Sequence, residues 1–141
     1  MKVLGFNFDV LSAEKMKARP ENLKINTKID VDEIKELKNE VLKTKEGLIQ
    51  VSFAHIISYE PGFAEVKLKG NVLLSIEDKL AKEILKDWKK KKMPDGFKVT
   101  LFNIILRKAT IKALELEDEI NLPLHMPLPS LRQGSRQENE K

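Results

Sequence analysis

The strongest structural signal in this sequence is a pair of alternating apolar runs joined by a tight turn. Apolar side chains recur at every second position in residues 48–59 and again in residues 64–74, and Glu60-Pro61-Gly62-Phe63 lies between them. Proline presets φ for the first turn position and glycine supplies a positive φ for the next, so a type II turn is predicted. Two such runs around a turn predict a β-hairpin with strands of about 11 residues, long for a small domain.

Two earlier segments also alternate with a period of two. Residues 3–10 and residues 23–31 each place apolar side chains on one parity and polar side chains on the other. This pattern predicts two further strands, each with one apolar face. Residues 32–45 are charged and irregular, and they are compatible with either a short helical turn or an irregular connection.

The apolar period becomes helical in the second half of the chain. A first helix is predicted to begin at Ser75, whose hydroxyl can cap it, and to continue through Lys92 until Pro94-Asp95-Gly96 ends it. A second helix is predicted over residues 97–118, with a broad apolar stripe. The breadth of the stripe suggests contact with the sheet on one side and with another element or subunit on the other. Strands followed by helices predict an α+β fold.

A chain of 141 residues fits one domain, which we assign to residues 1–131. Residues 122–129 are apolar but rich in proline. Because proline removes a backbone donor and blocks helix, an extended segment lying on a surface is predicted there. Residues 132–141 are polar and lack apolar anchors, so a disordered tail is predicted.

Composition excludes several classes of function. The chain has no cysteine, which excludes disulfides, thiolate catalysis and cysteine-ligated zinc, and fits a reducing compartment. No signal peptide or membrane span is recognisable, so a cytoplasmic protein without membrane contact is expected. The net charge of +4 is a mild excess on a mixed surface, which argues against nucleic acid as a partner.

The sequence contains no recognisable catalytic or metal-binding pattern. Its two histidines are His55, which lies mid-strand where a structural role is favoured, and His125, which can face solvent in the proline-rich segment. Neither has the spaced ligands of a metal site, and the acidic residues 115–119 are interpreted as solvated surface. No enzyme, metal or cofactor is expected. A small-molecule or enzymatic pocket around His55, between sheet and helix, stays open as an alternative.

A run of lysines forms the end of the first predicted helix and is called the lysine run below. It consists of Lys89, Lys90, Lys91 and Lys92. The favoured interpretation is a solvated helix end whose dipole the cations complement. The alternative is a nucleic-acid-binding module that uses this run, although aromatic residues make up only 6% of the chain and none is interleaved with the lysines.

Apolar side chains exceed what the hairpin tip, the first strand and the proline-rich segment need to bury within one subunit. A core and a subunit interface account for most of them. We expect the others to line a surface groove for apolar segments of other chains. The predicted peptide-contacting residues are Phe6, Phe8, Tyr59, Phe63, Leu124, Met126 and Leu128.

The order of these elements resembles that of the SecB export chaperone and its SecB-like relatives. The likeness spans residues 3–131, and its closest part begins with the Leu101-Phe102 start of the long helix and ends with the proline-containing apolar segment. The resemblance implies a four-stranded antiparallel sheet with long helices packed on one face. It also implies an ATP-independent holdase that binds unfolded polypeptides through exposed apolar grooves without a cofactor. Such a protein would pair through edge strands and helices into a dimer or tetramer.

Overall fold

The computed structural model describes residues 1–16, 22–38, 46–131 and 133. In these residues four β-strands precede two α-helices. The strands are β1 (Lys2–Lys15), β2 (Lys24–Leu37), β3 (Glu46–Glu60) and β4 (Ala64–Glu77), and the helices are α1 (Asp78–Trp88) and α2 (Asp95–Glu119). The predicted α+β fold with a four-stranded antiparallel sheet is confirmed. The predicted tail lies, apart from Gln133, outside the described residues.

The hairpin of β3 and β4 forms the centre of the sheet. Its loop is closed by the Phe63 N–H, which donates to the Tyr59 carbonyl at 2.8 Å. This bond spans one residue more than that of a type II turn, so the predicted turn type is wrong, although Gly62 has the expected positive φ of 59°. The two strands have 15 and 14 residues, because Ile49 and Ile76 continue the buried face to the far end of the hairpin.

The strand order is β1-β4-β3-β2, so β1 and β2 are the edges of the sheet. The interpretation of residues 32–37 as a helical turn or irregular connection is wrong, because β2 continues to Leu37. A register shift between Val31 and Glu33 accommodates one extra residue, and Val31 and Ile34 both pack into the core. This β-bulge breaks the alternation in the sequence and conceals the second half of the strand.

The first strand is also longer than the alternating segment, residues 3–10, that predicts it. Register shifts between Val3 and Gly5 and between Phe8 and Val10 interrupt its pairing with β4, and the strand still continues to Lys15. After each shift, the other set of alternate residues in β1 faces the helices. The sequence pattern therefore loses its period at residue 10 although the backbone remains extended.

Both helices pack on the same side of the sheet. Helix α1 begins at Asp78 and not at the predicted cap, because Ser75 stays in β4 and its hydroxyl bonds to the Glu46 carboxylate. Helix α2 buries one side chain in every turn, and the row through the core consists of Phe97, Leu101, Ile105, Ala109, Ala113 and Glu117. Four members of this row, Leu101, Ile105, Ala109 and Ala113, belong to the apolar stripe that the helical period predicts.

The core has two parts along the hairpin. One surrounds Phe53 and is covered by α1 and the first half of α2. The other surrounds Tyr59 at the hairpin tip, where Ala113 of α2 and Leu122, just beyond the helix, cover it. The proline-rich segment therefore contributes to the core at its first residue and becomes exposed further along.

The close approach of β1 to β4 at Gly70 gives a test of this packing. A Cβ at Gly70 would lie 2.1 Å from the backbone oxygen of Asn7. We expect Gly70→Ala to lower the free energy of unfolding by about 1–3 kcal/mol in urea denaturation, the usual cost of overpacking. The control is Gly96→Ala, where no atom lies within 4 Å of the new Cβ, and it should leave stability unchanged or slightly higher. Equal stability of the two variants would contradict the described packing of β1.

Candidate peptide-binding surfaces and a buried polar cluster

The structure separates the seven predicted peptide-contacting residues into three groups. Tyr59 and Phe63 lie at the hairpin tip and are only 1% and 5% exposed. Their rings contact each other edge-on, with centroids 6.5 Å apart. The expectation that they lie on the surface of the protomer is therefore wrong in this structure, because Leu122 and the end of α2 cover the hairpin tip.

The second group lies on β1. The rings of Phe6 and Phe8 are half-buried and pack on Phe53, with centroid distances of 5.3 and 6.2 Å. The two rings also meet each other edge-on at 5.2 Å. This aromatic trio fixes the edge strand to the centre of the sheet. One side of Phe6 and Phe8 remains accessible next to the open edge.

The third group lies on residues 122–131, a segment that we call the strap. Leu124 is half-buried, whereas Met126 is 42% exposed and Leu128 is 57% exposed. Prolines between these positions keep the strap extended. Its apolar side chains therefore form a short surface that no element in the described part of the chain covers.

Three contacts anchor the beginning of the strap. The Leu122 side chain is buried, and its N–H donates to the Glu117 carbonyl at 2.8 Å. The Tyr59 hydroxyl donates to the Pro123 carbonyl at 2.5 Å. Burial, followed by the neighbouring Glu117 carboxylate, raises the pKa of Tyr59 well above its usual range. The hydroxyl therefore stays protonated and able to donate across the whole physiological pH range.

A buried carboxylate forms the fourth anchor. Glu117 is fully buried, and its Oε1 accepts the His125 backbone N–H at 2.9 Å. The His125 Nδ1 lies 2.7 Å from Oε2 and 2.9 Å from Oε1, so the ring donates to the same carboxylate. The solvent-exposed interpretations of His125 and of residue 117 are both wrong. Glu117 lies four residues beyond Ala113, on the buried row of α2, and this spacing is the sequence signal that indicates its burial.

His55 lies beside this pair on β3, and we call Tyr59, Glu117, His125 and His55 the buried polar cluster. The Nδ1 of His55 is 3.1 Å from the Lys28 carbonyl, and the centroid of its ring is 6.4 Å from that of His125. Its Nε2 is buried without a hydrogen-bond partner. Burial lowers the pKa of His55, and the Lys28 bond offsets this only in part. Within the described residues no group of three or more potential ligands is arranged to hold a metal ion.

The two edges of the sheet differ in chemistry. Seven of the 14 residues of β2 are charged, whereas β1 has only four charged residues among its 14. On β1 the exposed apolar residues are Val3, Leu4, Val10 and Leu11. Charged side chains protect an edge strand from pairing with other strands, so β2 is protected and β1 is open to a partner.

The lysine run lies in the connection between α1 and α2, with all four residues exposed, so the prediction that the first helix continues through it is wrong. Lys91 has a positive φ of 58°, and its ammonium group lies 4.7 Å from the centroid of the Trp88 ring. This cation–π contact uses the one tryptophan of the chain and so orders the turn after the helix. The nucleic-acid alternative for the run stays a prediction.

The fold is similar to that of a known chaperone. The SecB-like chaperone Rv1957 of Mycobacterium tuberculosis, in complex with a ChAD peptide from the Rv1956 HigA1 antitoxin, superposes with a TM-score of 0.52 at 10% sequence identity. The superposition covers 94% of this chain and 91% of the other. At this identity the likeness shows the fold alone, which is the fold that the predicted resemblance implied.

The sequence comparisons found no relative. No protein-family model matches the chain, and no curated protein matches it either. Neither helix in the part of the chain that the structure describes has the length and apolar character needed to cross a membrane.

The carboxylate of Glu117 can be tested by its effect on stability. Glu117→Leu would leave the His125 backbone N–H and ring N–H without an acceptor. We expect the free energy of unfolding to fall by about 1–3 kcal/mol, measured by urea denaturation at neutral pH. The control is Glu115→Leu, since Glu115 is exposed and bonds only to Lys112 in the described contacts. Its change should stay within about 0.5 kcal/mol; a similar loss in both variants would contradict a special role of Glu117.

Proposed function

We propose that this protein is an ATP-independent holdase that binds unfolded or extended polypeptide segments. The observation that carries the proposal is the exposed apolar surface of the strap, where Met126 and Leu128 are 42% and 57% exposed. It occurs on a fold shared with a chaperone that binds a peptide. Holding an apolar segment requires only accessible apolar area and no chemical step, so the proposal includes neither a cofactor nor catalysis.

The proposed client surface consists of Leu124, Met126 and Leu128, with the accessible sides of Phe6 and Phe8 as a second area. Tyr59 and Phe63 contribute only if the strap moves, because both are buried beneath its beginning. Burying the exposed parts of Met126 and Leu128 would contribute at about 25 cal/mol per Å² of apolar area. Such a surface binds many sequences weakly, as a holdase requires.

We also propose that two copies pair through β1. This strand is an edge of the sheet and carries exposed apolar side chains on both sides of its centre, including Leu4 and Leu11. Antiparallel pairing of two β1 strands would satisfy the outward backbone groups and cover these side chains. The proposed state is therefore a homodimer, which further contacts of α2 through Val99 and Ile111 could extend to a tetramer. A cytoplasmic location stays a prediction.

The client surface can be tested by replacing the two most exposed strap residues. Met126→Ser with Leu128→Ser should reduce the ability of the protein to suppress aggregation of a chemically denatured client by several-fold at equal concentration. The reduction is expected because apolar contact area is lost while the anchors of the strap remain. Light scattering of the diluted client gives the measurement.

A matched control tests whether the loss of activity is specific to the strap or follows from removing any exposed apolar residues. Val99→Ser with Ile111→Ser removes two side chains that are each 61% exposed, but on α2. Suppression should stay close to that of the unchanged protein. If the unchanged protein fails to suppress aggregation of several clients, the holdase proposal is wrong; if both double variants lose activity equally, the placement of the client surface is wrong.

The proposed dimer can be tested by placing a charge on the β1 edge. Leu11→Lys should convert a dimer of two 16.2 kDa chains into monomers in sedimentation or native mass measurements, because burying an unpaired ammonium group is costly. Thr27→Lys on the already charged edge strand β2 is the control and should remain dimeric. A monomeric unchanged protein would overturn the proposal.

A further inference from the structure

The strap lies over an imidazole that cannot accept a second proton without cost. The Lys28 carbonyl can only accept, so the His55 Nδ1 at 3.1 Å must carry the hydrogen of the neutral ring. Any further proton must therefore bind to Nε2. That atom is buried and has no hydrogen-bond partner. Protonation would create a buried cation with an N–H group that has no acceptor.

The groups around His55 compensate for such a charge only in part, because burial outweighs the attraction of the Glu117 carboxylate. Tyr59 on the same strand uses its hydroxyl to hold the Pro123 carbonyl. On α2, the Glu117 carboxylate is already bonded to the backbone N–H and ring of His125. From β2 the Lys28 carbonyl bonds to the ring, and the Lys28 ammonium group pairs with Asp30 at 3.4 Å on the exposed side.

The element most easily moved away from His55 is the strap. The imidazole of His125 is the strap's contribution to the cluster, and its centroid is 6.4 Å from that of His55. The strap is held at its beginning by Leu122, by Tyr59 and by Glu117, whereas its later residues are exposed. The other neighbours of His55 belong to β2, to the central strands and to the long helix, which are held in place by strand pairing and by the core.

We propose that the strap is an acid-released cover, which opens when His55 gains a proton and thereby exposes the apolar surface around Tyr59 and Phe63. Opening would bring water to His55 Nε2 and would separate the two imidazoles. The core around Phe53, with α1 and the first half of α2, would keep its packing, since no residue of the strap belongs to that part of the core.

The direction of the pH dependence follows from burial. Burial keeps the pKa of His55 below its ordinary value of 6.5 in the closed state. Stabilisation of the closed state by the neutral ring is therefore complete above about pH 6.5 and decreases as the pH falls below this value. If His55 is protonated only in the open state, the ratio of open to closed strap rises about tenfold for each pH unit below about 6.5.

Under the proposed holdase function, this cover would regulate client access. Tyr59 and Phe63 would join the client surface only after release, so holding would be stronger in acid. This consequence rests on the proposed function, whereas the release of the strap does not. The two can therefore be tested separately.

Amide hydrogen exchange of the full chain without client tests the release. The reporters are the Leu122 and His125 amides, which are bonded to Glu117, and the reference is the set of β3–β4 amides. After correction for intrinsic exchange, protection of the reporters should be about tenfold lower at about pH 5.5 than at about pH 7.5. The reference amides should keep their protection.

The variant His55→Asn supplies the decisive comparison, because its amide nitrogen takes the place of Nδ1 and can still donate to the Lys28 carbonyl but does not titrate. In this variant, the protection of the reporter amides should fall by less than about twofold over the same pH range. Unchanged protection in the native protein, equal loss in the variant, or equal loss in the reference amides would each overturn the acid-released cover. A failed aggregation assay with normal pH-dependent exchange would instead overturn only the holdase proposal.

Discussion

The long central hairpin imposes the main constraint on this molecule, because its two strands present one continuous apolar face that must be covered. The strands have 15 and 14 residues, whereas α1 has only 11. A single helix of 25 residues, α2, crosses most of the remaining face. Neither helix covers the hairpin tip completely, and the chain completes the cover with Leu122 and the beginning of the strap. The position of the proline-rich segment is thus a consequence of the length of the hairpin.

Completing the cover with a strap requires polar anchors in a place where apolar packing would otherwise suffice. Glu117 occupies the end of the buried row of α2, and it is fully buried. Burying a carboxylate is unfavourable unless it is hydrogen-bonded, and here the strap supplies both donors through His125. Fold and strap are therefore coupled: the carboxylate is tolerated in the core only while the strap is in place. A row of leucines could hold α2 against the sheet, but it would offer no hydrogen bonds to position the strap.

Much of the fold could be predicted from the sequence, and the errors have specific causes. Alternation located every strand, and the helical period located both helices, because these periods reflect which side chains face the core. The ends of β1 and β2 were missed because bulges near Val10 and Asp32 change the parity of the pattern. Ser75 was assigned as a cap because a serine before acidic residues is typical of a helix start, but the pairing of β4 continues through it.

The candidate site was harder to predict than the fold. The exposed Met126 and Leu128 followed from the proline-rich composition, whereas the buried cluster depends on contacts between residues distant in sequence. His55 and His125 are 70 positions apart in the chain and meet only because the strap folds back over the sheet. Glu117 looked like one member of an acidic surface stretch, and only its position four residues after Ala113 distinguished it from Glu115 and Glu119.

The unequal edges of the sheet limit how large an assembly can grow. A sheet in which both edge strands can pair adds copies indefinitely, as in fibres, because each addition leaves a new edge that can pair. Here the edge strand β1 carries exposed apolar residues, whereas half of the residues of the other edge strand, β2, are charged. Pairing two β1 strands leaves a charged β2 strand at each end, so the sheet of the proposed dimer would stop growing at eight strands. Charged edges at both ends would thereby keep the proposed dimer from polymerising through its sheet.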